Sequence, residues 1–176
     1  MGIGSRAGRL TVVAALATIL SGCAISTPFR GPGFDSSGGV TAANSGTVYV
    51  SITRATYSRE SSARTEFWNH VDRVEDSLGG QSGFIGFSKR RELFGNTAWT
   101  MTVWTDRSSM QAFVSSDAHR TAIASSPRTL EGASFHGFEV SADEVPVPWT
   151  TALDRLASDP RELVRAEPVT AASRRD

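Results

Sequence analysis

The sequence predicts an α+β domain whose elements run β-α-β-β-α-β, and three observations carry that prediction. Between residues 47 and 140, four stretches have strand character and two have helical spacing of apolar residues, with glycine, proline or polar runs between them. Their order is the ferredoxin-like one, in which two βαβ-like halves share one antiparallel sheet. The strands also carry large apolar side chains on both faces, so a second layer must cover the face that the helices leave open.

Each element has its own signature. Residues 47–54 (TVYVSITR) alternate, with Val48, Val50 and Ile52 on one side. Residues 60–78 form a helix in which Phe67, Val71, Val74 and Leu78 make one apolar stripe and Asn69, Asp72, Arg73, Glu75 and Asp76 the polar side; Gly79-Gly80 stops it. Residues 83–94 and 97–104 are two strands joined through Gly95-Asn96, a hairpin signal. Strict alternation puts Ile85 and Phe87 opposite Phe84, and Trp99, Met101 and Val103 opposite Trp104. Asp106 caps a second helix through Met110, Phe113 and Val114, with a break expected at Ser115-Ser116-Asp117 and an end at Pro127. Residues 131–140 are the fourth strand. The two apolar faces predict a homodimer whose paired sheets form a barrel.

Both ends extend the domain. Residues 1–22 pair Arg6 and Arg9 with an eleven-residue apolar run, Leu10 to Leu20, and then small residues. This is a secretory signal peptide, too short to span about 30 Å of hydrocarbon comfortably. Residues 23–46 hold five glycines, two prolines and four serines, which predicts a flexible linker averaging about 25 Å end to end. The domain proper is 47–142. Residues 143–176 form an extension: a short helix with Leu153 and Leu156, another helical turn started by Asp159-Pro160-Arg161-Glu162, and a frayed tail.

Composition excludes several classes. Eighteen basic and eighteen acidic residues give no net charge, which argues against nucleic-acid binding. Cys23 is the only cysteine, so there is no internal disulfide, and no Cys/His set has metal-site spacing. No serine has a legible histidine–acid partner set, and no glycine-rich phosphate cradle is present.

Two resemblances add to this. Leu20-Ser21-Gly22-Cys23 resembles the lipobox of bacterial lipoproteins, which implies lipidation of Cys23 after cleavage and a domain held outside the cytoplasm on the cell membrane or outer membrane. Cleavage removes Arg6 and Arg9 and no acid, leaving a formal charge of −2, so the lipid must do the anchoring. Residues 83–124, above all Trp99-Thr-Met-Thr-Val-Trp104-Thr-Asp106 and Ala112-Phe113-Val114-Ser115-Ser116-Asp117-Ala118-His119-Arg120, resemble the dimeric α+β barrel superfamily and its antibiotic-biosynthesis-monooxygenase-like branch. That resemblance implies a pocket for a small apolar or aromatic molecule and, if the protein is an enzyme, cofactor-free monooxygenase-like oxidoreductase chemistry. A non-catalytic binding or scaffold role stays open. So does haem binding, although the places of the haem-degrading branch's tryptophan and histidine hold Phe113 and Ile123 here.

Two histidines are candidates for the polar group of such a pocket. His119 follows the helix break, and a restart there turns it inward; in a continuous helix it faces solvent. His136 shares a strand face with Phe138 and Val140, where it acts as acid/base or as a hydrogen-bonded core residue. Phe87, Trp99 and Phe113 are the candidate lining residues, or simple core. Lys89, Arg90 and Arg91 alternate along a strand and do not converge on an anion.

Overall fold

In sequence order, the computed structural model, which describes residues 23–41 and 46–164, contains β1 (Ala24–Ser26), β2 (Phe34–Asp35), β3 (Gly39–Val40), β4 (Thr47–Tyr57), α1 (Ser61–Leu78), β5 (Phe84–Glu92) and β6 (Thr97–Trp104). Then come α2 (Arg107–Val114), α3 (Asp117–Thr129), β7 (Leu130–Ser141), a single 3₁₀ turn (Ala142–Glu144), α4 (Trp149–Ser158) and β8 (Arg161–Val164). One six-stranded antiparallel sheet has the order β1-β5-β6-β4-β7-β8. Its four middle strands are those of the predicted βαββαβ unit, in ferredoxin-like order.

Helix ends follow their caps. The Glu60 side chain accepts from the Ser62 and Ala63 amides and starts α1. Asp106 accepts from the Ser109 amide at 2.8 Å and starts α2. Ser116 restarts the chain as the N-cap of α3, accepting from the His119 amide. The break between α2 and α3 is therefore built from Ser115 and Ser116, as expected. Pro127 does not end α3; it lies inside its last turn, and the helix continues to Thr129. Its missing N–H removes one helical hydrogen bond near the end, where little of the ladder remains to be lost.

One apolar layer lies between the sheet and the helices: Tyr49, Phe84, Phe87, Trp104, Met110, Phe113 and Leu78. A β-bulge at Ile85-Gly86 explains a departure from strict alternation. Phe84 is opposite Trp104 and Phe87 opposite Thr102, so Phe84 and Phe87 share the helix side while Ile85 turns to the other. A glycine inside the strand pattern is the sequence sign of that bulge.

The other face holds Val48, Val50, Ile52, Ile85, Met101 and Val103. The expectation of a second copy rested on this face being open. It is covered instead by the chain's own ends: Phe29, Phe34 and Val40 from the N-terminal side, and Val145, Val147, Trp149, Ala152 and Leu156 from the C-terminal side.

Residues 24–41 accordingly depart from the expected linker. β1 pairs with β5, Ala24 opposite Glu92 and Ser26 opposite Arg90, and the pairing continues through Arg30 and Phe87, whose amides and carbonyls exchange bonds of 3.0 and 2.8 Å. The glycines serve close approach as well as freedom: a Cβ on Gly31 would lie 2.2 Å from the Gly86 Cα. Ser88 ties the two covering segments together, donating to the Thr27 carbonyl at 2.7 Å and accepting from the Trp149 indole at 3.1 Å. At the other edge, residues 161–164 form a strand on β7 where a helical turn was expected. The open backbone edge of β7 outweighs the capping pattern. Residues 1–22, expected to be a signal peptide, lie outside the described residues; among the described residues no helix is long and apolar enough to cross a membrane.

Candidate functional site

A row of aromatic rings runs along the helix side of the sheet. Phe87 and Phe84 are 6.2 Å apart by ring centroid, Phe84 and Trp104 5.1 Å, and Trp104 and Phe113 5.1 Å. The row ends on the imidazole of His119, edge-on to Phe113 at 4.9 Å. β5 and β6 supply the first three rings, α2 the fourth and α3 the histidine. The Ser115-Ser116 break is what brings His119 back onto Phe113.

His119 is the polar end of an otherwise apolar row. Its Nδ1 is buried and has no hydrogen-bond partner. Burial holds its pKa below the ordinary value of 6.5, and the Val114 carbonyl opposes that only in part. The ring is therefore neutral at pH 7. In the neutral tautomer with the N–H on Nε2, the unpartnered Nδ1 carries a free lone pair. An unmet buried acceptor costs about 1–3 kcal/mol, and a ligand hydroxyl placed there would satisfy it.

Elsewhere in the row every polar atom is committed; the Trp104 indole donates to Thr102 Oγ1 at 2.9 Å. Trp104 is fully buried, and Met110 and Leu78 pack beside it. The row is filled by side chains, and Phe113 and His119 close its end.

The sequence candidates separate between the two faces. Phe87, Phe113 and His119 share the helix side. Trp99 packs against the opposite layer, and His136, opposite Ile52 on β7, faces that layer too. There His136 has its own employment: Nδ1 is 2.8 Å from the Asp159 carbonyl oxygen at the end of α4, and the ring stacks on Phe138 at 5.8 Å. His119 and His136 do not form one site. Phe84 and Trp104, absent from the candidate lining, are the centre of the row; the bulge at Gly86 is the signal that reveals Phe84 as a partner of Phe87.

The haem-degrading arrangement does not fit these residues. Ile123 stands exposed where the iron ligand would be, and His119 is closed against Phe113. A separate open hollow of about 510 Å³ lies along α1, lined by Glu60, Ser62, Glu66, Asn69, His70 and Arg73 among others. None of the predicted site residues borders it. His70 there belongs to a structural cluster, 3.7 Å from Glu66, which is held at 2.7 Å by Arg128 of α3.

Residues 51–125 match the family model described as antibiotic biosynthesis monooxygenase. No curated protein matches the sequence. Among solved structures, a conserved protein from Methanosarcina mazei Go1 is similar at 15% identity and a TM-score of 0.47, over 53% of this chain and 92% of that one. SnoaB, a cofactor-independent oxygenase from Streptomyces nogalater, is similar at 17% identity and a TM-score of 0.44, over 57% and 98%. A protein from Shewanella oneidensis is similar at 8% identity and a TM-score of 0.49, over 55% and 93%. Residues 51–125, which hold the aromatic row and His119, thus carry an antibiotic-biosynthesis-monooxygenase-like domain of ferredoxin-like α+β fold.

Proposed function

We propose that this is a lipid-anchored envelope protein whose domain binds a small, mostly apolar aromatic molecule of quinol type at the Phe113–His119 end of the aromatic row, with oxygenase-like chemistry and no resident cofactor. The observation that carries the reading is the buried, partnerless Nδ1 of His119 at the end of a row of stacked rings. Rings of the ligand extend the row, and its hydroxyl donates to Nδ1. A neutral imidazole in that place takes the hydroxyl proton and leaves an electron-rich oxyanion, the form of a quinol that reacts with oxygen. The family description of residues 51–125 supports this chemistry. Anchoring is supported by the lipobox-like Leu20-Ser21-Gly22-Cys23 and by Cys23 standing exposed at the start of β1.

The filled state of the row favours a second reading, a non-catalytic binding or scaffold lipoprotein. Titration with a naphthohydroquinone, read by quenching of tryptophan fluorescence and by oxygen uptake, separates the two. Saturable quenching with uptake lost in His119→Ala supports the enzyme; quenching without uptake supports the binding module. Absence of both rejects a ligand site in the row.

A further inference from the structure

Three large apolar side chains stand in solvent at one end of the sheet, around the residue proposed to carry lipid. Phe94 is 89% exposed, Leu93 42% and Ile25 45%. Leu93 and Phe94 form the tip between β5 and β6, and Ile25 lies on β1 beside it. We propose that this tip is a membrane-contact surface that beds into the headgroup–acyl boundary of the bilayer and fixes the orientation of the domain; the proposal rests on lipidation of Cys23.

The geometry leaves little choice once Cys23 is acylated. The Leu93 amide donates to the Cys23 carbonyl at 2.8 Å, and strand pairing begins at the next residue, Ala24 opposite Glu92. There is no slack between anchor and domain. Paired strands lie about 4.8 Å apart, so Leu93 is that close to the backbone bearing the lipid, and Phe94 is one residue further. A thioether-linked glyceride sits at headgroup depth, and side chains this near share that depth. The expected linker of about 25 Å would have allowed any orientation.

Alternation adds a second argument. Ile25 is opposite Arg91, and the Cys23–Leu93 bond continues that register, so Cys23, Ile25, Arg91 and Leu93 share one face. The exposed guanidinium of Arg91 thus accompanies the apolar groups, suited to anionic phospholipid. Glu92 points to the other face, and its carboxylate accepts from the Thr97 amide at 3.2 Å. Apolar side chains flanked by arginine at an interface give the second signal that stable anchoring commonly needs beside an acyl chain. Among the described residues, the other large apolar side chains in solvent, Ile123 and Leu163, stand singly on α3 and β8.

The test uses the full chain, processed in cells and reconstituted into phosphatidylethanolamine/phosphatidylglycerol vesicles. Acylation consumes Cys23, so Phe94→Cys and, as reference, Asp143→Cys at the opposite end of the sheet each offer a single thiol for an environment-sensitive fluorophore. The expected result is a blue shift and quenching by shallow spin-labelled lipid at position 94, with neither at 143. Equal emission and no quenching at both, in protein whose intact mass shows acylated Cys23, overturns the tip contact and leaves the anchor standing. An intact mass with unmodified Cys23 overturns the anchor and this proposal with it.

Discussion

His119 and His136 show how the same residue type takes different work from its surroundings. His119 is desolvated, so its titration midpoint by NMR falls below 6.5. The sign follows from linkage. The unfolded chain binds the proton first as pH falls, so His119 contributes a loss of stability that begins near 6.5 and grows down to its own lower midpoint. The melting temperature of wild type relative to His119→Phe therefore drops between pH 7 and 5. A difference independent of pH contradicts the burial. His136 instead holds the end of α4 through the Asp159 carbonyl. His136→Ala costs about 1 kcal/mol of stability by denaturant unfolding and leaves ligand binding unchanged. Loss of binding at full stability would move the site to the other face. The helix caps behave as carboxylates do when amides and hydroxyls hold them ionised. Ser62 and Ala63 pull Glu60 from 4.5 to about 2, so its stabilising effect is present above 4.5 and is lost as pH falls towards 2. Asp106, lowered by Ser108 and then by the Ser109 amide, follows the same direction, and Asp106→Ala costs about 1 kcal/mol in a denaturant melt at neutral pH.

At the scale of elements, the four central strands and the helices were legible because each has a local period and local stops. The α2–α3 break was legible in Ser115-Ser116-Asp117 for the same reason. What was hidden is non-local. Glycine marks chain freedom and close backbone approach with the same letter, and only the crossing of Gly31 on Gly86 tells which applies. The bulge at Ile85-Gly86 shifted Phe87 to the helix side, and with it the lining of the site. The strand at 161–164 forms because β7 offers it an edge, which no local pattern records. These points make Gly86→Ala informative: its Cβ would fall 2.8 Å from the Arg30 carbonyl oxygen and the Phe29 ring. Amide exchange at Phe87 and Thr27 should quicken in that variant while the α1 amides keep their protection. Unchanged exchange would mean that the N-terminal segment does not depend on this crossing.

For the whole molecule, the two apolar faces were legible in the sequence, and the chain's own ends as a cover of the second were not. Periodicity tells that a face is apolar; it does not tell whose side chains lie on it. With Phe29, Phe34, Val145, Val147 and Leu156 already there, the chain covers the surface on which a barrel dimer would form. A chain beginning at residue 23 with Cys23→Ser should be a monomer by native mass spectrometry; a stable dimer would show that these covers yield to a second copy. The central claim concerns the other face, where stacked rings end on an unpaired histidine nitrogen. Its most direct measurement is the imidazole nitrogen resonance of His119 during titration with a naphthohydroquinone. The account predicts that Nδ1, a free acceptor before the titration, shifts towards a hydrogen-bonded value in step with tryptophan quenching. An Nδ1 resonance unmoved at saturating quinol, or one already hydrogen-bonded without it, would contradict the site.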